Sequence, residues 1–312
     1  MKKFLTTALI IFFVPLTVLA AEISANSKLV QMEIDTYGGE QTGAILDRIN
    51  RLEKDFSGSN MQGNMNARID SLYEILYGNA GEPSILAKIN AIEWNAYHEV
   101  SGESINNRLN KLENEISGKT SAEPFIKRIS ALAQASFGNE TIPLSQMQIP
   151  ENVLIKVALV EGIGSRTLQE GDIVDIQVAE NTFVDGKLIF PKGLRGKGKV
   201  ESVRKAKGWI GRNGKINIDF YTLKCIDGTN TDIFVGEESK IEMKIKQMIG
   251  GAALVGMNLS SDWNKIMVHG KNVEIPAGTE FFVQTEKTFN LYGLQVDSEN
   301  LNSLNQLASR TS

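Results

Sequence analysis

Apolar residues recur at a fixed interval between positions 37 and 138, as at Ile49, Ile69 and Ile89. Within each unit they fall at positions i, i+4, i+7 and i+11, and in the first unit these positions extend from Ile45 to Phe56. This spacing places them along one face of an amphipathic helix. A glycine follows the last apolar residue of most units, and helices commonly end at glycine. The sequence therefore predicts five helical repeats, each with a helix of about 13 residues.

The repeats must pack against one another, because helices of this length are only marginally stable alone. A long coiled coil needs an unbroken phase, which the glycine and proline interruptions do not keep. Successive short helices in a small bundle or solenoid are the better prediction.

Each repeat also carries one basic residue beside its apolar face, and three repeats carry a glutamate five positions later. We expect these charges to form a solvated or inter-repeat rim that adds little stability per pair. A repeated contact to a cell-wall glycan or another envelope protein is the alternative interpretation. The basic residues are Arg48, Arg68, Lys88, Arg108 and Arg128.

Beyond Pro150 the pattern changes to alternation, with apolar residues at every second position of runs such as 173–178 and 215–220. Turns such as Asp185-Gly186 separate these runs, which is typical of β-hairpins. The predicted fold class is α+β with separate domains. An N-terminal array of short helices precedes a C-terminal antiparallel β-barrel or sandwich.

The segment 1–20 combines two lysines, an apolar run and a small residue at Ala20. This pattern predicts a cleaved export signal, with a retained membrane anchor as the alternative. The predicted organisation is a signal peptide at 1–20, a polar leader at 21–36, helical repeats at 37–138, a linker at 139–149, a β domain at 150–291 and a polar tail at 292–312.

The charges are unevenly distributed along the chain. Residues 22–140 carry 11 basic and 17 acidic side chains, whereas residues 192–215 carry nine basic side chains and one acidic one. A basic patch attracts anionic glycans, lipid headgroups or an acidic protein surface, and an exported protein is not expected to meet nucleic acid. Solvated strand faces are the alternative. The candidate binding residues are Arg195, Lys197, Lys199, Arg204, Lys205, Lys207, Trp209 and Arg212.

The third repeat departs from the common pattern at Trp94, Tyr97 and His98. These residues are further candidates for a specific contact. Packing where this unit is lengthened is the alternative explanation.

Two parts of the chain carry a resemblance to known proteins. The segments 185–193, 196–200 and 273–279 resemble a β-barrel module of exported proteins in diderm bacteria, and are distantly similar to the outer-membrane subunit of type IV secretion channels. The helical unit resembles Arg-Ile/Leu-x-x-Leu-Glu…Gly repeats of envelope proteins in the same bacteria. The resemblance implies a location in the periplasm or on the periplasmic face of the outer membrane.

No catalytic motif is recognisable in the sequence. The segment Gly193–Val200 has the spacing of a phosphate-binding loop, but Val200 stands where that loop needs a hydroxyl. The two histidines, His98 and His269, fall in different predicted domains, so a histidine-based metal site or triad is not expected. Cys225, the single cysteine, is expected to be buried as a small apolar residue. We therefore predict no enzymatic activity, metal or cofactor.

These patterns together predict a non-enzymatic exported envelope protein that acts as a scaffold or as a binding module for peptidoglycan, the outer membrane or another envelope protein. A component of an outer-membrane secretion or transport assembly is one alternative, and association of several copies stays open. A cell-wall enzyme with unrecognised carboxylates is another, because paired carboxylates have no sequence signature.

Overall fold

The structure is a computed structural model, and it describes residues 23–206, 214–248, 266–270 and 273–296. Six helices of equal length open the described chain, and each begins at the same interval after the previous one. They are α1 (Ala25–Tyr37), α2 (Ile45–Ser57), α3 (Met65–Tyr77), α4 (Ile85–Tyr97), α5 (Ile105–Ser117) and α6 (Phe125–Phe137). The predicted helical repeats are thus confirmed.

Helix α1 lies where the sequence predicted a polar leader. It has the geometry of the other units, with Leu29 and Met32 fully buried. The apolar pattern of the repeat did not predict α1, because Ala25 and Thr36 occupy positions that hold large apolar residues in α2. The predicted signal peptide at 1–20 lies outside the described residues.

The helix ends follow from local side-chain chemistry. Ser24, Asn64, Ser84 and Ser104 each precede a helix and accept a hydrogen bond from a backbone N–H of its first turn. Most of the helices end at a glycine in the left-handed conformation. At the end of α4 His98 takes this place, with φ of 56°.

The six helices form a closed bundle rather than an extended solenoid. Helix α1 packs against both α3 and α5, and α2 packs against α6 as well as α3. The rings of Phe56 on α2 and Phe125 on α6 lie 5.5 Å apart between centroids. Contacts between units that are four repeats apart close the array on itself.

The C-terminal region contains an antiparallel β-barrel of six strands, which confirms the predicted fold class. The strands follow the order β8-β7-β4-β2-β12-β9, and pairing of β9 with β8 closes the barrel. They are β2 (Leu154–Leu159), β4 (Ile173–Val178), β7 (Arg195–Arg204), β8 (Gly214–Lys224), β9 (Asn230–Phe234) and β12 (Glu280–Thr285). Alternate residues point inward, and the rings of Phe220 and Phe281 meet at 5.7 Å.

Smaller elements surround the barrel. A second sheet has the order β1-β13-β6-β5, β11 pairs with β3, and β10 extends the barrel sheet beside β8. Helix α7 (Glu237–Met248) packs on β12. The remaining strands are β1 (Leu144–Ile149), β3 (Ile163–Gly164), β5 (Thr182–Val184), β6 (Lys187–Phe190), β10 (Ile266–Gly270), β11 (Glu274–Ile275) and β13 (Phe289–Gln295).

Pairing between β1 and β13 changes the expected domain limits. The segment predicted as a linker contains β1, and residues 292–295 belong to β13 rather than to a polar tail. Neither strand shows a strong alternation by itself, so only their pairing reveals them. Residues 297–312 lie outside the described residues.

Helix α4 joins the bundle to the barrel. Its Asn90 Nδ2 donates to the carbonyl of Ile226 at 2.8 Å, and its Trp94 Nε1 donates to Asn181 Oδ1 at 3.0 Å. The link after α4 adds a bond from the Val100 N–H to the carbonyl of Lys192 at 2.8 Å. One apolar core runs through both parts of the molecule, so their mutual orientation is set by packing.

Candidate functional site

Four of the five basic residues of the repeats are buried and pair with a glutamate of the preceding helix. The predicted charges between repeats are thus present, but for these four residues the solvated rim is wrong. Arg108 Nε donates to Glu93 at 2.8 Å, and its Nη2 donates to Asn90 Oδ1 at 2.7 Å. Both charged side chains are about 5% exposed or less. We call this arrangement the arginine clasp, and it joins consecutive helices through Arg48–Glu33, Arg68–Glu53, Arg108–Glu93 and Arg128–Glu113.

The arginines of the clasp have little exposed charge with which to contact another molecule. Side-chain hydrogen bonds with Glu33 and Glu53 raise the pKa of Arg48 and Arg68, which keeps both guanidinium groups charged. Between α3 and α4 the clasp is missing, because Tyr73 and Lys88 occupy the two positions. The repeated arginines are therefore structural, and the polymer contact proposed for them has no exposed charge to use.

Trp94 and His98 serve the contact between bundle and barrel. Trp94 is 1% exposed and meets the rings of His98 and Phe183 edge-on, at 5.3 and 6.3 Å. Asn181 Nδ2 donates to the His98 carbonyl at 3.4 Å. Tyr97 points outward and is 40% exposed. Packing therefore explains why Trp94 and His98 depart from the repeat pattern, whereas Tyr97 is a surface residue.

The basic stretch of the sequence forms one exposed row on the barrel. Arg195, Lys197 and Lys199 point outward from β7, whereas Gly196 and Gly198 between them are buried. A Cβ atom on Gly196 would lie 2.6 Å from the Thr222 carbonyl oxygen, so glycine allows the close packing of β7 on β8. The glycines that resembled a phosphate-binding loop serve this packing instead. We call Arg195, Lys197 and Lys199 the basic strand face.

The other basic candidates are separate from this row. Arg204 is exposed at the end of β7 and lies opposite Lys215 of β8, and Lys205 follows it. Lys207, Trp209 and Arg212 lie outside the described residues.

The charge on the basic strand face is unevenly balanced by its neighbours. Lys197 lies opposite Asp175 of β4, and Lys199 lies opposite Asp219 of β8. Arg195 has no acidic neighbour of this kind, because its partner on β4 is Gln177. Within the described part of the chain, none of the three forms an ion pair. Among the three, Arg195 is therefore the residue without an acid opposite it in the described strand pairs.

Arg195 also borders a cleft between the bundle and the barrel. The cleft has a volume of about 330 Å³ and is lined by Asp35, Gly102, Arg108, Arg195 and Lys224 among others. A shallower cleft of about 520 Å³ adjoins it and shares Arg195. Residues 101–103 of the α4–α5 link line both clefts, so Arg195 lies where the bundle meets the barrel.

Two glycines make this geometry possible. Gly193 adopts φ of +93°, and a Cβ atom there would lie 2.2 Å from the carbonyl oxygen of Val100. A Cβ atom on Gly102 would lie 3.3 Å from Arg195 Nε. The link thus fits against the barrel and leaves the guanidinium accessible. Sequence reasoning missed Gly102 and Lys224, because only the fold brings them beside Arg195.

Within the described ranges, no three His, Cys, Asp or Glu side chains come together as metal ligands. None of the described helices has the length and apolar character to cross a bilayer. Cys225 is buried and free, as expected.

Comparisons with known proteins give limited information. No protein-family model matches the chain, and no curated protein matches it. Among solved structures, ComB10 of the Com type IV secretion system of Helicobacter pylori is similar to part of the chain. The sequence identity is 16%, the match covers 45% of this chain and 88% of ComB10, and the TM-score is 0.25. At that TM-score the likeness carries no inference about function.

Proposed function

We propose that this protein is a non-enzymatic binding module of the cell envelope that holds an anionic glycan along its basic strand face. The observation that carries the proposal is the exposed row of Arg195, Lys197 and Lys199, which forms no ion pair within the described residues. These cationic side chains suit the holding of an anion, and we assign no bond-breaking step to them.

The shape of the row favours a linear ligand. Side chains at every second position of a strand project from the same face, at intervals of about 6.8 Å. Three cations in line therefore match a chain that carries repeated carboxylates or phosphates. Each exposed contact is weak and screened by salt, so affinity must come from several contacts made together.

The acidic bundle supports this choice of surface. Residues 22–140 carry 17 acidic and 11 basic side chains, and they repel a polyanion. The ligand is then directed to the barrel side of the molecule. Export to the periplasm or the periplasmic face of the outer membrane is part of the proposal, and the signal-like pattern of the segment 1–20 supports it.

Co-sedimentation tests the proposal. Mature protein is mixed with purified peptidoglycan sacculi, and separately with phosphatidylglycerol vesicles, at low and moderate salt. We expect retention on sacculi that falls with salt, and loss of retention in the triple variant Arg195→Gln, Lys197→Gln, Lys199→Gln.

A matched variant removes the same charge elsewhere. Lys54, Lys119 and Lys127 are exposed on the bundle, and their replacement by Gln should leave retention unchanged. Equal retention of the basic-face variant and the unmodified protein would contradict the proposal. Retention on vesicles but not on sacculi would show that the ligand is a lipid headgroup instead.

A further inference from the structure

Two like charges lie side by side at the edge of the interdomain cleft. Strands β7 and β8 pair with Gly196 opposite Leu223 and Lys197 opposite Thr222. Arg195 and Lys224 each lie one residue beyond the Gly196–Leu223 pair, and both line the cleft. Like charges on neighbouring positions of adjacent strands repel each other and destabilise a sheet.

The acids near the cleft have other partners. Asp35 accepts a hydrogen bond from Tyr77 Oη at 2.6 Å, and Glu103 is paired with Lys111. Glu93 is held in the arginine clasp with Arg108. Within the described residues, neither Arg195 nor Lys224 forms an ion pair. The described contacts of the acids at the cleft are therefore made with residues other than these two cations.

The cleft is large enough for one unit of a polymer together with its charged group. Its volume of about 330 Å³ is at the low end of ligand pockets. Lys224 is half-buried there, and Gly102 leaves space beside the Arg195 guanidinium. A flat bilayer surface contacts only exposed residues. A recessed site of this kind instead admits one unit of a polymer chain.

We infer that Arg195 and Lys224 form an anion-anchoring site that binds one phosphate or carboxylate group of the ligand. Arginine offers a planar fork of donors to two oxygens of such a group, and lysine adds a point charge. The rest of the chain then follows Lys197 and Lys199 along β7. This inference rests on the proposed function, and it names the chemical group that the site recognises.

Charge reversal at Lys224 separates this site from a general surface effect. The variant Lys224→Glu places an acid near Arg195, so it should raise the melting temperature of the ligand-free protein. It should also weaken binding of inorganic phosphate by at least about tenfold, because it neutralises the anchoring arginine. Arg195→Gln should weaken phosphate binding to a similar extent without the stabilisation.

The control lies on the same strand. Lys215 of β8 is opposite a basic residue, Arg204, and it is nine positions from Lys224, or roughly 30 Å along the strand. Lys215→Glu therefore makes the same charge change on the same strand but away from the cleft, and it should leave phosphate binding unchanged.

Thermal unfolding of the full mature chain measures these effects, with inorganic phosphate, glucuronate and short-chain phosphatidylglycerol as probes against chloride at equal ionic strength. Comparison of the three probes identifies a phosphate, a sugar carboxylate or a lipid as the source of the anion. The inference is overturned if none of them shifts the melting temperature, if Lys224→Glu and Arg195→Gln respond like the unmodified protein, or if Lys215→Glu loses the response equally.

The two proposals fail in different ways. If the protein is retained on sacculi but its melting temperature does not respond to the small anions, only the anchoring site is contradicted. If phosphate or glucuronate shifts the melting temperature but the protein is not retained on sacculi, only the proposed polymer ligand is contradicted.

Discussion

Removal of one arginine clasp should destabilise the protein strongly. In the variant Arg108→Met, the carboxylate of Glu93 loses the hydrogen bond from Nε and the ionic contact with Nη2 at 2.6 Å, but it stays buried between α4 and α5. It keeps the bonds from the Ser101 N–H at 3.1 Å and the Ser101 hydroxyl at 2.8 Å. Asn90 Oδ1 also loses its donor.

The expected cost follows from what remains buried. Removing one partner of a buried ion pair costs about 3–5 kcal/mol, because the other charge is left uncompensated. The two bonds from Ser101 place Arg108→Met at the lower end, at about 3 kcal/mol. For a protein of this size about 1 kcal/mol shifts the melting temperature by roughly 2–4 °C, so the loss is about 6–12 °C.

Urea unfolding followed by the helical circular-dichroism signal measures this cost. Lys127→Met is the control, because Lys127 and Glu123 form an exposed pair with side chains 71% and 58% exposed. That pair contributes about 0.5 kcal/mol or less. A change below about 0.5 kcal/mol in Arg108→Met would refute the view that the clasp is an internal charge pair.

Two further predictions follow from particular contacts. Gly193→Ala should cost about 2–3 kcal/mol in urea unfolding, because the new methyl group would overlap the Val100 carbonyl as well as strain the backbone. Gly186→Ala is its control, since Gly186 also has positive φ but has nothing within 4 Å, and a cost equal to that of Gly193→Ala would contradict the role of the contact. Burial raises the pKa of the Cys225 thiol, so the thiolate is disfavoured and iodoacetamide should label it at pH 8 only after unfolding. Rapid labelling of the folded protein would show that the thiol is accessible.

The short helices were predictable because their apolar residues repeat with the period of an α-helix. The clasp was not recognised, although Glu33–Arg48 and Glu93–Arg108 share the same separation along the chain, which a search for repeated charge spacings would detect. Charged residues are usually solvated, and the sequence does not show that a neighbouring helix covers them. The position of the partner helix decides their burial.

The strands at the domain limits, β1 and β13, were not predicted, for a related reason. Strand β1 lacks a clear alternation, and it becomes a strand by pairing with β13, which is distant along the chain. The candidate site shows the same dependence. The concentration of basic residues predicted a contact surface that includes Arg195, Lys197 and Lys199, but it gave no reason to connect Lys224 with them.

The sequence by itself determined the repeated helices, the change to β structure and the concentration of positive charge, because each depends on spacing along a local segment. Tertiary structure alone decided which charges are internal and which are available. It buried the repeated arginines against glutamates of the preceding helix and placed Arg195 beside Lys224 at the interdomain cleft. Both outcomes depend on side chains that come into contact only when segments that are distant along the chain pack together. The local periodicity of the sequence does not encode these contacts.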